Sequence, residues 1–159
     1  MFYRITVAIA ALALFAPAAL AQVTPHTQPP EEFKFLSAKD LGALVDKPGP
    51  GPQVAYFGDH ENYYVQYVTR TDTGNKAEIH VHWTHYLFVL SGEATLTYGG
   101  KVSDAADSAP GEVRGSGITG GNSVTIHPGD YLQIPAGLPH MLNPAKGTKL
   151  NYVTFNTRQ

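Results

Sequence analysis

Short runs of apolar and aromatic residues, separated by glycine, proline, asparagine and aspartate, occupy most of the chain after Gln53. Runs of this length, rich in Val, Ile, Tyr and Phe and bounded by turn residues, predict β-strands. Strands do not alternate with long helical patterns, which argues against a parallel α/β architecture. The pattern therefore predicts an all-β sandwich or barrel, with strands at residues 54–57, 63–70, 76–83, 85–90, 93–98, 122–127, 131–134 and 149–155.

One short helix is predicted ahead of the strands. Ser37 and Asp40 stand at the spacing of a capping box, and Leu41 and Leu44 follow at helical spacing. The prolines and glycines of residues 47–52 cannot continue a helix, so the helix is expected to end before them.

The first 21 residues have the pattern of a removable export signal. Arg4 supplies a positive charge, residues 5–15 are apolar apart from Thr6, and Ala19 and Ala21 form a small-x-small cleavage site before Gln22. The apolar run is shorter than the ~20 residues that span a bilayer; an uncleaved membrane anchor is the alternative. We therefore expect a periplasmic or secreted protein with an extended arm at residues 22–36 and one domain at 37–159.

Charge and cysteine content narrow the classes of partner and ligand. The chain carries 11 basic and 13 acidic residues, and loss of a signal that contains Arg4 would take the net charge from −2 to −3. Because no basic stripe is present, we expect neither nucleic-acid binding nor stable membrane association. The chain has no cysteine, so a metal site has to use histidine, carboxylate or water.

One long stretch, residues 99–122, interrupts the strand pattern. It contains seven glycines and Pro110 and shows no alternation of apolar and polar positions. The prediction is a long structureless loop, which is either a lid over a functional site or a solvated hairpin extension.

Three histidines within six residues are the strongest chemical signal in the sequence. Side chains two residues apart in a strand share a face, so His80 and His82 are expected to point the same way. A turn at Trp83 and Thr84, followed by a strand that starts at His85, would bring His85 alongside them. His140, which follows a Pro/Gly turn, is the candidate for a fourth ligand. Such a cluster is suited to one divalent transition metal ion, whether Fe, Zn, Mn, Ni or Cu.

Two stretches around these histidines resemble the two motifs of the cupin family. The first motif, G-x5-H-x-H-x(3,4)-E-x6-G, is matched in most positions by Gly74, His80, His82, His85 and Gly92. The second, G-x5-P-x-G-x2-H-x3-N, is matched by Gly129, Pro135, Gly137, His140 and, one residue early, Asn143. The resemblance covers residues 74–143. It implies a double-stranded β-helix (jelly-roll) barrel that holds a metal in its wider mouth through His80, His82 and His140.

The first motif departs from the family pattern at its glutamate. Counted back from Gly92, His85 occupies the glutamate position, and the gap after His82 is then one residue short. Counted forward from His82 with the standard gap, Tyr86 occupies it. If His85 is a ligand, the site has four histidines and is neutral before metal binds; if the turn rotates His85 away, three histidines leave open positions.

Glu78 and Tyr86 are the candidate catalytic side chains. Glu78 shares strand parity with His80 and would be a general base or hold a ligand in place; an ordinary charge at a strand end is the alternative. Tyr86, which occupies the glutamate slot by the standard gap after His82, is the second candidate; a role as a metal ligand is the alternative.

The cupin resemblance implies three classes of function. The first is a metal-dependent enzyme, a dioxygenase (an oxidoreductase), lyase or isomerase acting on a small organic molecule. The second is a non-catalytic module that binds a metal or small ligand, which four closing ligands would favour. Metal-free epimerase chemistry is the third. The resemblance also implies a homodimer.

Overall fold

One helix and thirteen strands follow one another along the residues that this computed structural model describes, 33–46 and 50–159, with the side chain of Phe57 left aside. The predicted signal at 1–21 and the first part of the predicted arm, 22–32, lie outside these described residues. The elements are α1 (Ala38–Val45), β1 (Gln53–Asp59), β2 (Tyr63–Thr71), β3 (Ala77–His80), β4 (Trp83–Ser91), β5 (Ala94–Tyr98), β6 (Lys101–Ser103), β7 (Ala106–Ala109), β8 (Glu112–Gly115), β9 (Gly117–Thr119), β10 (Asn122–Ile126), β11 (Tyr131–Ile134), β12 (His140–Pro144) and β13 (Lys149–Arg158).

The helix begins as the capping box predicts. The Ser37 hydroxyl accepts a hydrogen bond from the backbone N–H of Asp40 at 3.2 Å, and the Asp40 carboxylate accepts one from the backbone N–H of Ser37 at 3.2 Å. These two bonds satisfy N–H groups that the first turn leaves without helical partners. The helix lies against β1 and β2 and buries Val45. In the described part of the chain, no helix is long and apolar enough to cross a membrane.

The strands pair antiparallel in two large sheets. One has the order β1-β2-β13-β4-β11, the other has the order β10-β5-β12-β3-β8-β7, and β6 pairs with β9 in a small third sheet. The predicted all-β architecture with one short N-terminal helix is confirmed. Eleven buried residues contributed by both large sheets form the core between them: Val68, Leu87, Val89, Ala94, Leu96, Ile126, Leu132, Ile134, Leu142, Leu150 and Tyr152.

Strand β2 shows how alternation divides the side chains between the interior and the outer face. Tyr64, Gln66 and Val68 line the interior cavity. Tyr67 points the other way and lines a surface groove together with residues of α1. Since neighbouring side chains of a strand point to opposite faces, one aromatic-rich strand serves both surfaces.

Strand β3 is shorter than the sequence predicts. It ends at His80, and residues 81–82 form a turn in place of a strand that continues to residue 83. The backbone N–H of Val81 donates to the carbonyl of Gly111 at 2.8 Å, a partner thirty residues away. The sequence predicts that His80 and His82 share one face of a strand. Because the strand ends at His80, they do not.

The prediction of a structureless loop at residues 99–122 is wrong. Four short strands, β6 to β9, occupy most of this stretch. Each has only three or four residues, too few to show alternation, and several of the glycines form the turns between them. Gly100, Gly111 and Gly120 have φ of +67°, +76° and +72°, values that glycine adopts without the strain of a side chain. Strand β8 pairs with β3 and so becomes part of the functional site.

Candidate functional site

A cavity of about 210 Å³ lies between the two large sheets. Strands from both sheets supply its walls, and its lining includes Glu78, His80, His85 and His140. All four side chains are at most 9% exposed. Buried polar groups have to be paired or functional, because burial without a partner costs about 1–3 kcal/mol per group.

Three strands bring these four side chains together. Glu78 and His80 stand two residues apart on β3 and therefore share its inward face. His140 begins β12 and lies directly opposite Glu78 in the antiparallel pair. His85 comes from β4, in the other sheet. The group is thus fixed by strand pairing rather than by flexible loops.

Glu78 is a buried carboxylate held by a buried arginine. Its Oε1 accepts a hydrogen bond from Arg70 Nη2 at 3.0 Å, and its Oε2 lies 3.3 Å from His80 Nε2 and 3.8 Å from His140 Nε2. Burial raises the pKa of Glu78, but the charge of Arg70 and the hydrogen bond with His80 outweigh burial and hold this pKa well below its usual value. Glu78 is therefore an anion whose second oxygen faces the histidines.

Arg70 is itself buried and tied down. Its Nε donates to the Tyr152 hydroxyl at 2.9 Å, while Nη2 donates to Glu78. Its Nη1 is buried without a hydrogen-bond partner among the described residues. Arg70 thus works as an internal counter-ion that fixes one carboxylate oxygen.

His80 stands between two carboxylates. Its Nδ1 lies 2.7 Å from Oε2 of Glu112 on β8, so Nδ1–H donates to that oxygen. Arg114 Nη1 contacts the same oxygen at 3.0 Å. Burial lowers the pKa of His80, but its hydrogen bonds to Glu112 and Glu78 outweigh burial and raise the pKa above its usual value. Glu112 therefore fixes the ring so that Nε2 faces Glu78 and the cavity.

His140 is a neutral imidazole with a defined tautomer. Its Nδ1 lies 3.0 Å from the carbonyl oxygen of Leu138, which can only accept, so Nδ1 carries the hydrogen and Nε2 carries the lone pair. Burial lowers the pKa of His140 to about 4. The 3.8 Å contact with Glu78 is consequently not an ion pair at neutral pH. His140 offers Nε2 to a ligand.

His85 stacks on His80 and stands slightly apart from the other donors. The two ring centroids are 4.1 Å apart with 21° between the planes. The Tyr64 hydroxyl lies 3.5 Å from His85 Nε2, a long hydrogen bond. Burial, and after it the charges of His80 and His140, lower the pKa of His85 to about 2, so its ring is neutral.

The donor atoms of Glu78, His80 and His140 fit a divalent transition metal. One carboxylate oxygen and two imidazole nitrogens lie within 4.8 Å of one another, and all three residues are buried. Ligands about 2.0–2.2 Å from a common zinc-sized ion would be about 3–4 Å from each other, so only small adjustments separate this arrangement from a coordination shell. His85 is not part of this closest group.

The structure does not bring two of the predicted residues to this group. His82 is exposed in the turn after β3, with its ring beside Gly111. Tyr86 follows inward-facing His85 on β4 and so lies on the outer face of the sheet, where its ring centroid is 6.4 Å from that of Phe155. His80, His85, His140 and the candidate catalytic Glu78 do meet in one cavity.

Glu78 as a metal donor could have been found from the motif spacing. With a gap of four after the strand pair, which the family pattern allows, counting back from Gly92 gives Glu78-x-His80-x4-His85-x6-Gly92. On this count, the two donors that share a strand face are Glu78 and His80, in place of His80 and His82. Two supporting residues were missed. Arg70 shares strand parity with Gln66 and Val68 and was identifiable as an inward charge, but nothing local pointed to Glu112.

No protein-family model matches the sequence. No characterised protein matches it closely enough in sequence to count as a relative. Solved structures do match it.

Three solved structures illustrate the likeness. A double-stranded β-helix protein from Klebsiella pneumoniae is 15% identical with a TM-score of 0.57, over 79% of this chain and 90% of that one. The Cnp3 cupin domain of Schizosaccharomyces pombe is 9% identical with a TM-score of 0.51, over 68% of this chain and 65% of that one, so the match spans less than two thirds of its length. Oxalate oxidase in complex with glycolate is 18% identical with a TM-score of 0.52, over 89% of this chain and 70% of that one.

These likenesses show the fold. The chain is a double-stranded β-helix of the kind found in cupin domains, as the two sequence motifs indicated.

Proposed function

We propose that this cupin-fold chain holds one divalent transition metal ion through Glu78, His80 and His140 and uses it as an enzyme on a small organic molecule. The observation that carries the proposal is the meeting of two imidazole Nε2 atoms and one carboxylate oxygen, all buried, within 4.8 Å in the wall of a cavity. Oxalate oxidase, a structurally similar protein, binds the small molecule glycolate.

The residues around the donors prepare them for a cation. Arg70 donates to one oxygen of Glu78 and leaves the other facing the histidines. The Glu112 carboxylate accepts a hydrogen bond from His80 Nδ1–H, and the Leu138 carbonyl accepts one from His140 Nδ1–H. Partners of this kind orient histidine and carboxylate ligands and typically contribute 10–100-fold to metal affinity. The cluster therefore has the support that a metal site requires.

A bound divalent metal would supply a Lewis acid that polarises a carbonyl or carboxylate oxygen of the substrate. The chain itself would provide the surrounding walls. Val54, Tyr56 and Gln66 line the cavity beside Tyr64, whose hydroxyl can donate to His85 Nε2. Burial raises the pKa of Tyr64, so this hydroxyl keeps its proton and can hold substrate by hydrogen bonding.

A non-catalytic binding module is the second candidate, and His85 is the observation that favours it. His85 is buried, neutral and stacked on His80. If a side-chain rotation brought His85 to the metal, the chain would supply four donors. Closed four-donor shells are typical of structural metal sites, whereas catalytic sites keep an open position.

The first test measures metal content in the wild-type chain and in three variants, all expressed with residues 1–32 intact. We expect about one divalent transition metal ion per chain in the wild type. His80→Ala and Glu78→Gln should lose it, because each removes a donor. His82→Ala is the matched control, since His82 is exposed outside the cluster and should leave metal content unchanged. Elemental mass spectrometry of the purified proteins gives the stoichiometry.

Two outcomes of this measurement would contradict the proposal. Equal metal loss in His82→Ala and His80→Ala would mean that both histidines bind the metal, as the sequence motif suggests. Absence of stoichiometric metal in the wild type, also after incubation with Fe²⁺, Mn²⁺ and Zn²⁺, would remove the metal site altogether. The intact mass of the exported protein also tests the proposed signal at 1–21, because cleavage would leave a chain that begins at Gln22 in the periplasm or medium.

An exchangeable coordination position separates the enzyme from the binding module. In Co²⁺-loaded protein we expect azide to change the visible absorption of the metal, because three protein donors leave room for an outside ligand. The same titration on His85→Ala is the control and should give the same response. An azide response that appears only in His85→Ala would show that His85 closes the shell, and it would favour the binding module.

A further inference from the structure

Arg114 is a charged residue of the cavity wall that is not one of the metal donors. It stands on β8 directly opposite Glu78 of β3, and Glu112 stands opposite His80 in the same pair of strands. Side chains directly opposite each other in an antiparallel pair share a face of the sheet, so Arg114 is directed inward as Glu78 is. Arg114 accordingly lines the cavity that contains the donors.

The guanidinium of Arg114 keeps donors that the protein does not use. Its Nη1 contacts Glu112 Oε2 at 3.0 Å and donates to the Val113 carbonyl at 3.2 Å. Both contacts engage one nitrogen, whereas an arginine carries five N–H donors on three nitrogens. The side chain is 30% exposed, and no Arg114 nitrogen is buried without a partner among the described residues. The remaining donors are therefore accessible to a ligand.

The charges around the cavity cancel before a metal binds. Arg70 and Arg114 supply two positive charges, and Glu78 and Glu112 supply two negative charges. The histidines add none, because a histidine is neutral when it binds a metal. A divalent ion therefore brings two positive charges that no side chain of the cavity wall compensates. Because uncompensated charge in a buried site is unfavourable, the metal-loaded cavity favours an anionic ligand.

The cavity admits only a small ligand. Its volume of about 210 Å³ is below the roughly 300–1,000 Å³ of sites for drug-sized ligands. Arg114 also stands close to the donors, since Glu112 Oε2 contacts both Arg114 Nη1 at 3.0 Å and His80 Nδ1 at 2.7 Å. A short molecule can therefore reach from the metal to the guanidinium.

We propose that Arg114 determines substrate specificity: it binds one carboxylate of a short dicarboxylate whose other carboxylate binds the metal. The inference rests on the proposed function, because the metal provides one of the two contacts. The planar fork of an arginine matches the two oxygens of a carboxylate and forms two parallel hydrogen bonds with it. Two carboxylates also compensate the two charges of the metal, which a single carboxylate does not.

The test compares ligands with one and with two carboxylates on the Co²⁺-loaded full chain, where the visible absorption of the metal reports binding. Acetate has one carboxylate, whereas malonate, succinate and glutarate have two at increasing separation. We expect at least one of these dicarboxylates to bind at least about tenfold more tightly than acetate. Arg114→Gln should abolish this preference.

Lys76→Gln is the matched control. Lys76 is exposed and lines a surface groove together with Arg114, but it does not line the cavity. The substitution removes the same charge close to Arg114 without removing a donor from the cavity. The preference for the dicarboxylate should therefore remain.

Three results would overturn the proposal. The first is a wild type that binds none of the dicarboxylates more tightly than acetate. The second is a preference that survives in Arg114→Gln, because both carboxylates would then bind the metal. The third is equal weakening of acetate and the dicarboxylates in Arg114→Gln, because the arginine would then act only through its charge.

Co²⁺ uptake is measured first, which separates this inference from the proposed function. A wild type that takes up no Co²⁺ would remove both, whereas the three results above leave the metal site in place. Arg114→Lys keeps the charge but not the fork, so it should also lose most of the preference. It serves as the test if circular dichroism or Co²⁺ content shows that Arg114→Gln is not intact.

Discussion

Substitution of Arg70 by methionine should lower the free energy of unfolding of the metal-free protein by about 3–5 kcal/mol. Arg70 and Glu78 form an ion pair at 3.0 Å in which both side chains are less than a tenth exposed. Methionine keeps much of the volume of arginine but leaves Glu78 as a buried anion without its counter-ion. Breaking a buried pair on one side costs more than the pair contributes, because the remaining charge stays desolvated.

The measurement is urea unfolding with a chelator present, so that bound metal does not contribute. Arg158→Met is the matched control, because Arg158 is an exposed arginine at the end of β13 and should change stability by less than about 0.5 kcal/mol. The double variant with Glu78→Gln should recover part of the loss, since the uncompensated charge is gone. Similar midpoints for Arg70→Met and Arg158→Met would contradict the role of Arg70 as an internal counter-ion.

The sequence predicted the fold well because the fold rests on local patterns. Alternation along residues 63–68 identified two faces of β2, and the capping box at Ser37 identified the start of α1; both are present. Short apolar runs bounded by turn residues were sufficient to identify the all-β class, because strands of this length bury their apolar side chains only when they pair into sheets that pack together. The two motifs then selected one barrel among the all-β folds.

The site was predicted less well because the position where β3 ends, and the orientation of its side chains, depend on residues far away in the sequence. Two histidines that stand two residues apart are expected to share one face of a strand. Strand β3 ends at His80, however, and the backbone N–H of Val81 donates a hydrogen bond to the carbonyl of Gly111. The residue that orients His80 is Glu112, which lies 32 positions away in a segment whose strands are too short to show alternation. Local periodicity contains no information about such a pair. Glu78 was noticed for its parity with His80, yet as a candidate base and not as a ligand.

Affinity for a divalent metal should rise about tenfold per pH unit between pH 5 and 6.5 and should level off at higher pH. A histidine nitrogen has to lose its proton before it binds metal. The pKa of His80 is raised because its hydrogen bonds to Glu112 and Glu78 outweigh burial, so below that pKa every metal ion bound displaces one proton from His80. His140 has a pKa of about 4 and is already neutral at pH 5, so it adds no slope in this range.

Competition with a chelator of known Zn²⁺ affinity, at intervals from pH 4.5 to 8.5, measures this dependence. Two histidine ligands with ordinary pKa values near 6.5 would instead give about a hundredfold change per unit below pH 6. Glu112→Gln removes the charge that raises the pKa of His80 while keeping a hydrogen-bond acceptor, so its affinity should level off at a lower pH. A hundredfold slope, or a profile that Glu112→Gln leaves in place, would contradict the assignment. The pH at which affinity levels off therefore reports on the His80–Glu112 pair, and the slope reports how many ligands carry a proton before the metal arrives.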